Sequence, residues 1–208
     1  VPYYFNELHR RATRNAGQIA GLEVIDIINE PTAAALTYAW TRGALGKSGP
    51  SDSRRILVYD LGGGTFDVTL VEITAAHLRV RATDGDTMLG GMDWTNRLAD
   101  AVAEDIIGQG GTDPREVSDV GFRLLQVCED AKRDLSTRMV TTVQLAHDGR
   151  EYSIDLTRSR FERETAALLQ RTRDTTELAL VPAAISGTDL DHILRTVGPA
   201  RTARVPPR

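Results

Sequence analysis

The stretch YDLGGGTFDVTL, residues 59–70, decides how this chain is read. Two strand-like runs flank three consecutive glycines, Gly62, Gly63 and Gly64, with Asp60 just before them and Thr65 just after. Glycine loses more backbone freedom on folding than any other residue, so three together are costly, and a tight turn needs only one or two. A further use for such a run is a nest of backbone N–H groups, unobstructed by Cβ atoms, that converges on an anion, phosphate above all. Asp60 closes the first strand, where a carboxylate can hold a divalent cation through water. Thr65 offers a hydroxyl to a phosphate oxygen or an attacking water. Asp67 lies two residues on, on the same side of the second strand. The plain alternative is a glycine-rich hairpin with two polar strand ends.

Working outward, residues 6–21 read as a helix with Asn6 as N-cap, LEVIDIINE (22–30) as a strand of alternating apolar residues, and PTAAALTYAWTRG (31–43) as a helix with Pro31 in its first turn and Gly43 as its stop. Residues 44–55 form a polar linker. RILVYDLGGG, TFDVTLVEI and HLRVRATDGD are three strands, most simply paired antiparallel. MDWTNRLADAVAEDIIGQ (92–109) is a helix with Asp93 near its start, and REVSDVGFRLLQVCEDAKRDLS (115–136) a long helical pattern. MVTTVQLAHDGREYSIDL (139–156) is a hairpin whose Asp148–Gly149 pair suits a type I′ turn. Thr157 then caps a helix over 158–174, and DHILRTV (191–197) gives a short strand. The opening VPYYF reads as a strand, and RTVGPARTARVPPR (195–208) as a frayed tail. The order makes an α/β chain with two subdomains and glycine turns at strand ends, where open α/β sheets place their ligands.

Composition narrows the function. The chain has 208 residues, 41% of them hydrophobic, enough for a real core. Its net charge of −4 argues against a nucleic-acid binder that relies on a basic surface. No apolar run reaches transmembrane length and no signal-peptide pattern opens the chain, so no membrane association is expected. Cys128 is the only cysteine, which predicts a reducing, cytoplasmic setting and, with histidines scattered singly, no structural zinc site. Cys128 itself reads as a core residue.

Three more stretches bear on chemistry. ALGKSG (44–49) nearly spells a P-loop, but the glycine that motif needs five positions before Gly46 is Thr41, so a linker is the better reading. In NEPTAAA (29–35), Glu30 sits at a strand end beside a helix start, able to cap the helix or to orient a metal-bound water. In CEDAKRDLS (128–136), Glu129, Lys132, Arg133 and Ser136 share one helix face. There Glu129 can accept from sugar hydroxyls, Arg133 can lie against an aromatic base, and Ser136 can bond a ring nitrogen. A solvated salt-bridge stripe is the commoner use of such a face. In GDTMLGGMDW (85–94), Gly90 and Gly91 precede a helix, another place where N–H groups can meet phosphate.

Together these stretches resemble the ATPase domain of the seventy-kilodalton heat-shock chaperones, the DnaK family. The resemblance runs in order from residue 1 to about residue 165, and NEPTAAA and DLGGGTFDV are its most specific parts. It implies an actin-like (ribonuclease-H-like) fold, here incomplete, with part of lobe I and most of lobe II. The expected divisions are 1–43 in lobe I, a linker at 44–55, an inner lobe II subdomain at 56–89, an outer one at 90–170, and a return to the inner one at 171–208. It implies ATP or ADP with Mg²⁺ as ligands, Glu30 and Asp60 near the metal and its waters, and Gly62, Gly63, Gly64 and Thr65 as a phosphate loop with Asp67 close by. Glu129, Lys132, Arg133 and Ser136 match the family's adenosine-binding face. The family's last glycine loop aligns with VGPAR (197–201), where Gly198 and Arg201 match and Pro199 removes an N–H donor. Met92 stands where the family usually has an acidic residue, and the family's first phosphate loop and hydrolytic lysine lie upstream of the matched region.

The implied partners are a J-domain co-chaperone, a nucleotide-exchange factor and, through a separate substrate-binding domain, unfolded client peptides. With half the cleft outside this stretch, weak nucleotide binding and negligible turnover are expected of it. Two other readings are a catalytically dead remnant that only docks partners, and another actin-like protein such as a sugar kinase or filament protein. The better-folded core is expected over residues 56–175, with LEVIDIINE exposing apolar edges.

Overall fold

β1 (Arg54–Leu61) and β2 (Phe66–Ile73) are buried along nearly their whole length, as their continuous apolar runs require of strands covered on both faces. The computed structural model describes residues 1–42, 53–74 and 77–197. Gly43, ALGKSG, most of the 44–55 linker, Gly198 and Arg201 lie outside the described residues; Arg54 and Arg55, read as linker, open β1. The described residues divide into two compact units, one drawn from residues 1–60, 66–86 and 174–196, the other from residues 61–65, 87–173 and 197.

The first unit is built on a four-stranded sheet in the order β3–β2–β1–β6, with β3 at Leu78–Asp86 and β6 at His192–Val197. β2 and β3 pair antiparallel from Phe66 opposite Asp86 to Ile73 opposite Leu78, with a bulge at Leu70/Val71. β3 forms one edge and is only half-buried, and its exposed Arg79, Arg81 and Asp84 suit that place. A helix, α2 (Glu30–Thr41), lays Ala35 and Ala39 against Ile56, Val58, Val71 and Ile73. Alanines one turn apart let the helix approach the sheet closely.

Ahead of α2, the sequence reading holds only in part. α1 (Glu7–Ile19) forms as expected, with the Asn6 side chain accepting from the His9 N–H, but it buries none of its residues. Residues 22–29 are not a strand. Their one ladder-like contact is with Val1, whose amino group donates to Ile28 O and whose carbonyl accepts from Glu30 N–H, both at 2.8 Å. An extended run becomes a strand only when a neighbour takes its alternate N–H and C=O groups, and no described segment does so. Ile25 is left 88% exposed. VPYYF is likewise a turn rather than a strand, closed by Phe5 N–H on Pro2 O.

The second unit packs helices on a two-stranded ribbon. α3 (Gly91–Gly108) and α4 (Ser118–Asp134) lie against each other, α4 covers β4 (Val140–His147), and α5 (Arg158–Glu164) covers β5 (Arg150–Thr157). Both strands alternate, with Val143, Leu145, Tyr152, Ile154 and Leu156 buried; an isolated ribbon is marginal without such cover. Asp148 (φ 52°) and Gly149 (φ 70°) make the type I′ turn. The long pattern over 115–136 is not one helix. Asp113 caps a single 3₁₀ turn at Pro114–Glu116, Val117 is extended, and α4 starts after it. The helix capped by Thr157 also breaks, at Thr165, and resumes as α6 (Ala166–Leu180), six residues beyond its expected end at Asp174.

Candidate functional site

In the second unit the two glycine motifs meet. The Gly62 N–H closes the turn on Thr65 O at 2.8 Å. The carbonyls of Gly62 and Gly63 then accept from the N–H groups of Gly91 (2.9 Å) and Met92 (2.8 Å), the first residues of α3. A Cβ on Gly90 would fall 2.4 Å from the backbone of Gly64, so this is a main-chain to main-chain contact that only glycine permits. The reading of Gly90 and Gly91 as N–H donors to phosphate is therefore corrected. Gly91 N–H is held by Gly62, and Gly90 N–H by the Asp93 carboxylate at 2.7 Å. The first turn of α3 seats the loop instead.

The loop keeps its own donors. Gly63 and Gly64 N–H groups take no partner among the hydrogen bonds of the described residues, and a Cβ at either position would meet nothing within 4 Å. None of the three glycines adopts a left-handed backbone, so Gly63 and Gly64 leave room over the loop rather than supply an unusual turn. Open space above two unused N–H groups is the geometry an incoming phosphate requires.

α4 is tied to the same turn. Lys132, 2% exposed, donates to Gly91 O (2.8 Å), Thr95 Oγ1 (2.9 Å) and Glu129 Oε2 (2.6 Å). An ammonium has three protons, so Lys132 is fully used within the protein. Lys132, which the resemblance puts on the adenosine-binding face, serves in this structure as a buried clamp. Glu129 also accepts from Thr95 Oγ1 at 2.6 Å, and its Oε1 pairs with Arg133 Nε at 3.2 Å. Burial pushes the Glu129 carboxyl up, but the hydrogen bonds of Lys132 and Thr95 and the charges of Lys132 and Arg133 outweigh it and hold it below the usual glutamate range. Arg133 is exposed, its guanidinium spread between Glu129 and Asp130. Ser136 lies just past the helix and donates to Arg133 O. Burial pushes the Cys128 thiol up to about 12, as befits an inert core residue.

In the first unit, Glu30, Asp60 and Asp67 form a cluster of like charge. Asp67 is 8% exposed, and its pKa is raised to about 6 by burial first, then by the charges of Asp60 and Glu30. Asp60 is raised by burial, with Thr196 pulling the other way. Among the described residues no group of three or more His, Cys, Asp or Glu is arranged to hold a bare metal ion. A Mg²⁺ that keeps several of its waters and takes only one or two carboxylates fits such a cluster better.

Two contributors, Gly85 and Thr95, escaped the sequence reading. Gly85 faces Asp67, where a Cβ would fall 2.8 Å from Oδ1; a glycine inside a strand was the available signal. Thr95 carried none, because a threonine's partners across the fold leave no local mark. Clefts of about 540 Å³ beside the β4–β5 tip and about 380 Å³ beside α1 contain none of the site residues.

The second unit thus seats a glycine loop on a helix start and clamps a carboxylate-bearing helix to the same turn. A family model described as Hsp70 protein matches residues 1–207, and the chain belongs to that heat-shock chaperone family. It is similar to the chaperone protein DnaK of Trichormus variabilis, with 41% identity covering 99% of this chain and 30% of that protein. DnaK of Thermotoga maritima is 44% identical, covering 98% and 34%. The mitochondrial-type heat shock protein 70 of Encephalitozoon hellem is 37% identical, covering 97% and 34%. The chain thus spans about a third of the length of the curated relatives it matches.

Proposed function

We propose that this chain is part of an ATP-binding domain of a DnaK-type chaperone, with the actin-like fold and the lobe divisions that the sequence resemblance implies. The observation that carries the reading is the glycine loop, whose free Gly63 and Gly64 N–H groups are held on the helix start that Lys132 also clamps. In the second unit, Gly62–Thr65 receive the phosphates, and Glu129, Arg133 and Ser136 receive the adenosine. In the first unit, Asp60 and Glu30 hold Mg²⁺ through its waters, and Asp67, titrating near 6, exchanges protons with water close to neutral pH. Bound Mg²⁺ supplies neutralisation of phosphate charge. Hydrolysis of this kind works by positioning and charge stabilisation, so turnover by this stretch alone is negligible.

In the intact relative the cycle assists protein folding in the cytoplasm, with a J-domain co-chaperone and a nucleotide-exchange factor as partners. No described helix is long and apolar enough to cross a membrane. Isothermal titration of the chain with Mg²⁺–ADP, repeated with Arg133→Ala, tests the reading. Micromolar binding weakened by the substitution is expected; no heat from folded protein overturns it.

A further inference from the structure

Glu129 is held more firmly than a carboxylate at the edge of a helix face needs to be. Thr95, on α3, is 1% exposed, and its hydroxyl is engaged on both sides. It accepts from Lys132 Nζ at 2.9 Å and gives its single proton to Glu129 Oε2 at 2.6 Å, with Gly91 O a more distant choice at 3.2 Å. A short bond to an ionised carboxylate is the stronger of the two. Glu129 Oε2 therefore carries two inward bonds, from Thr95 and Lys132, and Oε1 carries one outward ion pair with Arg133. A carboxylate oxygen has two lone pairs, so Oε1 keeps one acceptor position on the Arg133 side.

We propose that Thr95 is a positioning residue for ribose recognition: it locks Oε2 of Glu129 inward, so that Oε1 is presented, at fixed orientation, to the hydroxyls of a nucleotide's sugar. This rests on the nucleotide-binding reading above and goes one step further, naming the part of the nucleotide that Thr95 governs. Without the Thr95 hydroxyl, the flexible glutamate keeps Lys132 as its only inward partner and samples other rotamers. Its charge persists and its aim is lost. A bare packing role for Thr95 would instead lower affinity for all nucleotides alike.

The test compares binding of Mg²⁺–ADP with Mg²⁺–2′,3′-dideoxy-ADP, by titration calorimetry, for the unaltered chain, Thr95→Val and Thr95→Ser. The unaltered chain should prefer ADP by about tenfold, the scale of one hydrogen bond to a charged group. Thr95→Val keeps the shape and drops the hydroxyl; it should reduce that preference to about threefold or less, chiefly by weakening ADP. Thr95→Ser, which restores the hydroxyl, should restore the preference. Should Thr95→Val fail to fold by circular dichroism, Thr95→Ala is measured in its place. A preference that survives loss of the hydroxyl overturns the proposal. Equal binding of both nucleotides by the unaltered chain also overturns it, while leaving the nucleotide-binding reading intact. Failure of folded, unaltered chain to bind either one overturns that reading and this proposal together.

Discussion

Lys132 Nζ donates to Gly91 O at 2.8 Å, and through that one bond the α4 carboxylate face and the glycine loop share a support. The peptide groups of Gly91 work in both directions: its carbonyl receives Lys132, and its N–H holds Gly62 O at 2.9 Å. A lysine this deeply buried is tolerable because each of its protons has an acceptor and one of those acceptors is an anion.

Removing that support should be costly. Lys132→Met leaves Gly91 O and Glu129 without their buried donor and is expected to lower stability by about 3 kcal/mol in urea unfolding. Arg133→Met breaks only exposed pairs and should cost less than about 1 kcal/mol. Equal losses for the two would mean that the lysine is not a clamp.

The glycines should separate by position. Gly90→Ala forces a Cβ into the Gly64 backbone, and a loss of roughly 1–3 kcal/mol is expected from such overpacking. Gly63→Ala meets nothing within 4 Å and should leave stability within about 0.5 kcal/mol. It should nonetheless weaken Mg²⁺–ADP, because the methyl stands over the loop where the proposed function puts the phosphates. Unchanged ADP affinity in folded Gly63→Ala would remove the loop from the binding site.

Asp67 gives the chain a pH signature. Its pKa is raised from 3.8 to about 6, so the folded state holds the proton more tightly than the unfolded state. The stability this contributes is complete below about pH 4 and is lost as pH rises through about 6. Asp67→Asn should therefore stabilise the protein at pH 7.5 by about 1–2 kcal/mol, after allowance for solvent screening, and hardly at all at pH 4. Urea midpoints at the two pH values measure it; a loss of stability at pH 7.5 would contradict the like-charge cluster.

Ile19, Leu22, Ile25 and Ile28 present their side chains to solvent, Ile19 and Ile25 each 88% exposed. Ile25→Lys should leave the unfolding temperature unchanged and reduce light scattering on concentration. A marked fall in unfolding temperature would show that Ile25 is buried in solution.

Elements whose partners lie nearby in sequence were legible. The β2–β3 pairing, the Asp148–Gly149 turn and the caps at Asn6 and Thr157 each follow from local chemistry. LEVIDIINE has the alternation of a strand, but alternation records which faces differ and says nothing of who supplies the hydrogen bonds. The break at Val117 was hidden because an apolar β-branched residue fits a helical period and an extended link equally well. At the site, the residue types on α4 were readable and their orientation was not. Spacing placed Lys132 beside Glu129 and Arg133, yet only the packing of α3 shows that Lys132 points inward.

The contact of Gly90 with Gly64 contains no side chain at all. It offers nothing to repack, so a substitution at one position has no compensating change at the other. A library randomised at both positions and selected for folding should return glycine at position 90 whatever residue stands at 64, where a Cβ meets nothing within 4 Å. The tolerance that lets a hydrophobic core drift through many combinations ends at this point of the chain, where the genetic alphabet has a single usable letter.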